Sequence, residues 1–428
     1  MRLAFLFLIL TGVLPLFAQA PDYGDAIREE AQALEDKVIE WRRHIHANPE
    51  LSNRETETAA YVAKRLESLG LEVRTGIAHT GLIGILRGGK KGPTVALRAD
   101  MDALPVTERT ELPFASKVQT NYLGSESGVS HACGHDTHVA MLLGAAELLS
   151  KRKADIPGTI VFLFQPAEEG PPPGEEGGAK LMIEEGVLND PKVDAIFGIH
   201  INSQTPVGTV RYREGGIMAA SDRFTIKVNG KQTHGSSPWA GVDPIAVSAQ
   251  IVQGLQQIVS RQIDITDEPA VISVGKIEAG VRYNIIPESA EMVGTIRTFD
   301  TEMQKDIHRR IRLIAENIAE ANGATVDVDI QVGAPVTYNH PKLTQSMVPT
   351  LKDVAKNLVI AKPITGAEDF AYYAQKIPAL FVFVGGMDPA MKPREAPSHH
   401  TPDFYIDERG LVYGVELYSR MALDYLHF

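Results

Sequence analysis

Side chains that can bind a metal ion or carry a proton follow each of four short apolar runs. They are Asp100 and Asp102 after residues 94–97, Glu168 and Glu169 after residues 159–164, His200 after residues 195–199, and His399 and His400 beyond residues 379–384. Nearly continuous apolar runs are typical of strands that are buried on both faces of a parallel sheet. Because ligands of open α/β sheets bind beyond the carboxyl ends of the strands, we expect these side chains to meet at one edge.

The triplet Cys133-Gly134-His135 adds a thiol and an imidazole to this set. Side chains two residues apart in extended backbone point the same way, and glycine permits close approach, so both groups could bind one ion. Cys133 is the only cysteine in the sequence, which excludes an intramolecular disulfide and a multi-cysteine zinc finger. A buried inert thiol remains an alternative. A cysteine nucleophile with His135 as base is another, but it leaves the carboxylates and the other histidines unexplained.

Clustered carboxylates repel one another and take up protons unless a cation compensates them. A mixed set of thiolate, imidazole and carboxylate ligands suits Zn, Mn, Ni or Co better than Ca or Mg. Of the adjacent residues Glu168 and Glu169, one could bind metal while the other takes a proton from a bound water, whose pKa a zinc-type ion lowers to roughly 7. This chemistry is that of amide or ester hydrolysis. The alternatives are a solvated glutamate pair, a helix cap or turn for the aspartates, and a hydrogen-bonded core histidine for His200.

The elements that must position these residues alternate between strands and helices. Helical apolar spacing over residues 25–69, interrupted at Pro49, predicts two helices separated by a loop. Further helices are predicted over residues 138–152 and 178–185, between the apolar runs. This alternation predicts an α/β core with a mostly parallel sheet.

The pattern changes near residue 221. Between residues 222 and 330 the order becomes strand, helix, strand, strand, helix, strand, which is that of a ferredoxin-like α+β module. We therefore expect a catalytic α/β domain formed by residues 21–220 and 336–428, with residues 221–335 inserted between its two parts.

The charge balance and the first residues bear on partners and location. The chain has 42 Lys and Arg against 54 Asp and Glu, a net charge of −12, so no nucleic-acid partner and no anionic membrane partner is expected. Residues 1–20 combine Arg2, an apolar run and a small-residue ending at Ala18-Gln19-Ala20, which predicts a cleavable signal peptide and an exported, periplasmic or secreted protein. A retained N-terminal anchor is the alternative.

Nine strings of this sequence carry a resemblance to a known family: HANPELSNRETETAAY, ALRADMDALPV, SHACGHDTHVAMLLGAAELL, FLFQPAEEG, GAKLMIEEGVL, DAIFGIH, THGSSPWAGVDPI, YNIIPESAEMVGTIR and TGAEDF. Together they resemble the aminoacylase-type amidohydrolases, which include hippurate hydrolase, indole-acetyl-amino-acid hydrolase and N-acetyl-diaminopimelate deacetylase, within a family of two-metal exopeptidases. They extend over residues 35–418. The resemblance implies a zinc-exopeptidase-like core with an inserted lid domain, through which the chain could form a homo-oligomer.

The resemblance also implies roles for individual residues. Two divalent ions would be bound by Cys133, His135, Glu169, His200 and His400, with Glu168 as general base and with Asp100 and Asp102 orienting a ligand imidazole. His400 is preferred to His399 because the family's last histidine stands in a His-x-Pro-x-Phe context, as His400-Thr401-Pro402-Asp403-Phe404 does.

Three further residues, His234, Asn284 and Arg297, match lid positions that contact the oxyanion and the substrate carboxylate. A surface histidine, a turn asparagine and an exposed strand arginine are the alternatives. The activity implied is hydrolysis of small N-acyl amino acids. A metallo-dipeptidase or carboxypeptidase on the same scaffold is an alternative, as is a periplasmic solute-binding protein, which would have no need of an unligated Glu168 beside a metal.

Overall fold

The computed structural model describes residues 23–427. The predicted signal peptide, residues 1–20, lies outside these described residues. Between residues 23 and 427, none of the helices combines the length and the apolar character that crossing a membrane requires.

The helices and strands follow one another along most of the described chain. Strands β1 to β9 are Glu72–Ile77, Gly81–Arg87, Lys90–Asp100, Gln119–Tyr122, Ser125–Gly128, Pro157–Gln165, Ala195–Pro206, Thr209–Tyr212 and Gly215–Met218. Strands β10 to β18 are Ala220–Asn229, Thr233–His234, Ala270–Ala279, Ile285–Ile286, Ser289–Thr298, Thr325–Val332, Thr337–Asn339, Asn357–Ile360 and Ala379–Met387. Helices α1 to α10 are Gly24–Ala33, Glu35–Ala47, Thr56–Ser68, His135–Ser150, Gly178–Glu184, Pro244–Gln257, Thr301–Ala321, Pro341–Val354, Ala371–Ala374 and Leu411–His427.

An eight-stranded sheet in the order β1-β2-β6-β3-β7-β18-β8-β17 forms the centre of the fold. Its four middle strands, β6, β3, β7 and β18, are mutually parallel and contain the four apolar runs. Strand β18 is buried along its whole length, as its continuous apolar sequence predicts. Helices α4 and α10 belong to the core on one face of the sheet, while α5 and α9 belong to the core on the other. The predicted α/β class with a mostly parallel sheet is confirmed.

A second, four-stranded antiparallel sheet has the order β12-β14-β10-β15. Helices α6 and α7 contribute to its own hydrophobic core, in which Phe224, Ile251 and Ile311 are fully buried. Strand β10 begins at Ala220 and β15 ends at Val332. The order of strands and helices is the ferredoxin-like one that the sequence predicts. The domain boundaries at residues 221 and 335 stay a prediction.

The N-terminal region corrects one expectation, because residues 25–69 form three helices and not two. Helix α1 ends at Ala33 and α2 begins at Glu35, while the predicted interruption at Pro49 separates α2 from α3. Ile27, Ala31, Leu34 and Val38 are all buried, so the apolar spacing continues across the break and conceals it. Helix α4 also begins three residues earlier than predicted, directly after Gly134 with its left-handed φ of 94°.

Tyr418 gives a test of how α10 secures the sheet. Its hydroxyl donates to the Arg98 carbonyl at 2.6 Å and accepts from the Ile199 amide at 3.2 Å, joining α10 to β3 and β7. Tyr418→Phe leaves both buried backbone groups without this partner, so we expect the free energy of unfolding to fall by about 1–3 kcal/mol. Denaturant titration measures it. Tyr413→Phe, at a half-buried position of α10, is the control, and an equal loss in both variants would contradict the prediction.

Candidate metal centre

Six of the residues predicted from the sequence meet beyond the ends of the parallel strands. Glu168 and Glu169 follow the end of β6, and His200 lies in β7. His135 is the first residue of α4, Cys133 lies two residues before it, and His400 lies in the loop after β18. Parallel strands bring their carboxyl ends to one edge, and α4 begins at that same edge. The sequence thus folds so that groups up to 267 residues apart become neighbours.

The Cys133 thiol lies at the centre of the cluster. Its Sγ is 3.5 Å from His200 Nε2 and 3.3 Å from His400 Nε2. His400 Nε2 is in turn 3.0 Å from Glu169 Oε1. Cys133 therefore belongs to two groups of ligand atoms, one with His135 and His200 and one with Glu169 and His400, in each of which the atoms lie within 4.8 Å of one another.

His135 is held by one ring nitrogen and leaves the other free. Its Nδ1 is 3.2 Å from Asp102 Oδ1 and 3.7 Å from Asp100 Oδ1. Its Nε2 faces Glu168 Oε2 at 3.7 Å and Glu169 Oε1 at 3.9 Å. Burial lowers the pKa of His135, but Asp100 and Asp102 more than offset it and raise the pKa to about 10. The contact of Nδ1 with Asp102 fixes the orientation of the ring and directs Nε2 into the cluster, where a metal ion would take the place of its proton.

His200 and His400 also point Nε2 into the cluster. The Nδ1 of His200 donates to the Ile201 carbonyl, which fixes the tautomer with its lone pair on Nε2. His400 has a left-handed φ of 62°, so its side chain points in a different direction from that of His399.

The neighbouring His399 has no nitrogen left for a metal. Its Nδ1 lies 3.1 Å from the Cys133 carbonyl oxygen, to which it donates, and its Nε2 accepts from the Ser203 amide at 3.1 Å. His399 therefore supports the Cys133 loop, while the Nε2 of His400 faces the thiol and Glu169.

Two groups in the centre were not predicted from the sequence. His138 is the first: it is fully buried, with Nδ1 2.6 Å from Asp100 Oδ1 and Nε2 accepting from the Ile201 amide at 2.8 Å. Its spacing of three residues from His135 places both on one face of α4, a signal that could have found it. Because both nitrogens are occupied, His138 orients Asp100 and does not bind metal.

Glu368 and Asp369 are the second group, and a buried guanidinium holds them. Arg98 has a side chain only 1% exposed, and its nitrogens lie 2.6 Å from Asp100 Oδ2, 3.0 Å from Glu368 Oε1 and 2.9 Å from Asp369 Oδ1. Carboxylate oxygens of Glu168, Glu368 and Asp369 lie within 4.8 Å of one another. Burial, followed by the charges of Glu368 and Glu169, raises the pKa of Glu168 well above its usual range.

The donor groups fit divalent metal ions. Among the described residues, His135 Nε2 is a buried side-chain nitrogen without a hydrogen-bond partner, as an atom reserved for an ion would be. Burial, then the charges of Glu169 and Glu168, raises the pKa of the Cys133 thiol well above its usual range, so the thiolate needs a nearby cation. One thiol, three imidazoles and a carboxylate suit a zinc-like ion better than Ca or Mg.

The three predicted lid residues lie on the second sheet and its connections. His234 is exposed on β11, and the adjacent Gly235 amide donates to the Asn284 carbonyl at 2.9 Å, so His234 and Asn284 are neighbours. Arg297 lies on β14, opposite Ser221 of β10. In the described part of the chain, no hydrogen bond or ion pair joins these three residues to the cluster around Cys133. Their roles toward substrate stay predictions.

An α/β core with an added antiparallel sheet, and a mixed thiol, imidazole and carboxylate cluster at the strand ends, define the class of metal-dependent hydrolases. Residues 96–424 match the family model described as Peptidase family M20/M25/M40. The chain belongs to this family.

Relatives agree over nearly the whole length. Thermostable carboxypeptidase 2 of Saccharolobus solfataricus is 43% identical over 406 residues, which cover 94% of this chain and 99% of the relative. IAA-amino acid hydrolase ILR1-like 4 of Arabidopsis thaliana is 40% identical over 397 residues, which cover 91% and 86%. The solved structure of the Bacillus subtilis YXEP protein, a dinuclear metal binding peptidase from the M20 family, matches with a TM-score of 0.79 and 37% identity, covering 92% of this chain and 99% of that one.

These matches decide between the alternatives of the sequence. The predicted aminoacylase-type family and the prediction of an enzyme that acts on amide or peptide bonds are confirmed, and the solute-binding alternative is wrong. The predicted pair of divalent ions agrees with the ligand groups and with the dinuclear centre of that neighbour. The identity of the metal among Zn, Mn, Ni and Co stays a prediction.

The two adjacent histidines should respond oppositely to substitution. We expect His400→Asn, in which asparagine tolerates the left-handed backbone, to lower the bound metal from about two ions per chain to about one, because a ligand is lost. His399→Gln should retain its metal, since a glutamine amide can replace hydrogen bonds of the ring. Elemental analysis of dialysed protein measures both. Metal loss in His399→Gln with retention in His400→Asn would reverse the assignment.

Proposed function

We propose that this chain hydrolyses the amide bond between an acyl group and an amino acid whose carboxylate is free. The observation that carries the proposal is the division between two adjacent glutamates. Glu169 Oε1 is 3.0 Å from His400 Nε2 and belongs to the ligand group of Cys133. Glu168 lies 3.7 Å from His135 Nε2, but it also faces Glu368 and Asp369, and its pKa is raised. A carboxylate that is spare beside a metal centre is what a hydrolase requires of a general base.

Each residue of the centre then has a part in the reaction. Cys133, His135, Glu169, His200 and His400 would bind two divalent ions. When bound, the ions lower the pKa of water and polarise the amide carbonyl. Glu168 takes the proton from the attacking water and returns it to the leaving amine. Asp102 holds His135 through Nδ1, and Asp100 is held in turn by Arg98 and His138.

The lid residues complete the proposal. His234 would donate to the oxyanion, and Asn284 and Arg297 would bind the free carboxylate of the amino-acid half. The inserted module must close over the bound amide for these contacts to form. The exposure of His234 and its adjacency to Asn284 support this assignment.

Carboxypeptidase or dipeptidase activity is the second candidate, supported by the carboxypeptidase name of a relative that is 43% identical. A cavity of about 350 Å³ beside Glu168 also favours it. Carboxylates outnumber cations on its wall, where Lys180 stands among several carboxylates, Glu176 and Glu184 included. Such a wall suits the ammonium group of a peptide better than an apolar acyl group.

Location and assembly are also proposals. The composition of residues 1–20 supports export to the periplasm or the exterior, which N-terminal sequencing of the mature protein would test. A homo-oligomer through the lid is supported by the edge strand β12, on which Val271 and Ile277 are exposed.

Replacement by glutamine should have different effects at Glu168 and Glu169. Glu168→Gln keeps its size but accepts no proton, so we expect both ions to remain while kcat falls about 100- to 10,000-fold. Glu169→Gln should lose metal first. Metal analysis and steady-state kinetics on a panel of N-acyl amino acids measure the two effects. Near-normal turnover in metal-replete Glu168→Gln would overturn the role of this residue, and metal loss confined to Glu168→Gln would exchange the two roles.

The free carboxylate of the substrate should be essential. We expect conversion of an N-acyl amino acid to its C-terminal amide to lower kcat/KM about 10-fold or more, because the charge that Arg297 would bind is removed. Arg297→Met should hydrolyse both substrates equally slowly. An undiminished preference for the acid in Arg297→Met would place the carboxylate elsewhere. Faster cleavage of unblocked dipeptides than of N-acetyl amino acids would favour the peptidase.

A further inference from the structure

The turn that carries Glu168 and Glu169 is held by its backbone. The Glu168 amide donates to Asp102 Oδ1 at 3.1 Å and the Glu169 amide to Asp102 Oδ2 at 3.0 Å. The preceding amide, of Ala167, donates to Glu55 Oε1 at 2.9 Å. Three successive N–H groups therefore donate to two buried carboxylates. Asp102 already has a role in the proposed mechanism, whereas Glu55 has none.

Glu55 reaches this turn from a distant part of the chain. It precedes α3 and lies 112 residues before Ala167, and it is fully buried. Its second oxygen accepts from the Thr80 hydroxyl at 2.5 Å. An amide and a hydroxyl are thus its hydrogen-bond partners, and no ion pair involving Glu55 occurs between residues 23 and 427. Burial of a carboxylate without a paired cation is costly, so packing alone gives no reason for this residue.

The backbone of the turn needs such support. Ala167 has a φ of 52°, a left-handed conformation that is strained for a non-glycine residue. A conformation of this kind persists only where the surroundings impose it. The bond from Ala167 to Glu55 acts at the strained residue itself, one position before the general base.

The residues beside Glu55 hold the loop beyond the turn. Asn53, whose own φ is 60°, donates from Nδ2 to the Glu176 carbonyl at 3.0 Å and to Glu175 Oε2 at 3.1 Å. Arg54 Nη2 lies 2.5 Å from Glu175 Oε1. One short segment, residues 53–55, therefore holds both the catalytic turn and the loop after it.

We propose that Glu55 is a positioning residue, which sets the directions of Glu168 and Glu169 by accepting the Ala167 amide. Its effect on Glu168 depends on the proposed function, whereas its effect on Glu169 depends only on metal binding. The contribution is that of a hydrogen-bond acceptor of the right length, and not that of a negative charge.

Three substitutions of Glu55 separate these contributions. Glu55→Gln keeps the length, since its carbonyl can accept from Ala167 and its amide can donate to the Thr80 hydroxyl. Glu55→Asp keeps the charge but withdraws the acceptor by one methylene. Glu55→Leu removes both. If Glu55 acts by positioning, Glu55→Gln should be the most active of the three variants, Glu55→Asp less active and Glu55→Leu the least active. If its charge matters instead, Glu55→Asp should be more active than Glu55→Gln.

The readouts include two that do not require turnover. In the metal-free protein, hydrogen exchange at the amides of residues 167–169 should be faster in Glu55→Leu and Glu55→Asp than in the wild type. Chelator competition should show weaker metal binding, because Glu169 is displaced. In the metal-saturated enzyme, we expect kcat to fall about 10- to 100-fold in Glu55→Leu, with KM within about threefold, while Glu55→Gln retains at least about half of kcat.

Glu416→Leu is the matched control, since Glu416 is a buried glutamate on α10 that pairs with Arg28 and makes no hydrogen bond or ion pair with residues 167–169. It should lower thermal stability without changing exchange at residues 167–169. Unchanged hydrogen exchange, metal affinity and kcat in folded Glu55→Leu would overturn the proposal. Higher activity of Glu55→Asp than of Glu55→Gln would also overturn it.

If Glu55→Leu does not fold, the comparison of Asp with Gln still decides. The outcome for the proposed function is separate. A wild-type protein inactive on every N-acyl amino acid and peptide would refute that function, while hydrogen exchange and metal affinity would still test Glu55.

Discussion

Buried negative charge at the carboxyl edge of the central sheet is the constraint on which the rest of the structure depends. The carboxylates that meet there are Asp100, Asp102, Glu168, Glu169, Glu368 and Asp369. Arg98 compensates three of them, and metal ions are the natural compensation for the others. These carboxylates would repel one another and separate in water. The fold holds them together through the sheet, the start of α4 and the loop before α9.

Much of this architecture can be predicted from local sequence patterns, and the remainder depends on tertiary contacts. Continuous apolar runs predict β3, β6, β7 and β18, and the polar residues after these runs predict most of the metal ligands. The break between α1 and α2 at Leu34 could not be predicted from the sequence, because the buried apolar positions continue across it. Glu55 could not be predicted for another reason: a buried polar residue is recognised by its partner, and Ala167 lies 112 residues away in the chain.

Adjacent residues receive opposite tasks in this centre, and backbone conformation assigns them. His399 and His400 have the same side chain, yet one supports the Cys133 loop through both nitrogens and the other, with φ at 62°, faces the thiol. Glu168 and Glu169 divide in a similar way after the left-handed Ala167. A sequence motif can select His400 from its pair, and the backbone dihedral angles show how the two neighbours come to face different partners.

The span between Cys133 and His400 has a consequence for biosynthesis. These two ligands are 267 residues apart, and the whole antiparallel module is made between them. Chains grow from the N-terminus at about 5–20 residues per second. His400 is therefore synthesised roughly 10 to 60 seconds after Cys133, His135 and Glu169. During that interval a nascent chain offers an incomplete set of donors. The centre can therefore reach its full affinity for metal only after the segment that carries His400 has been made and has joined the fold, so hydrolytic competence comes well after the synthesis of the first ligands.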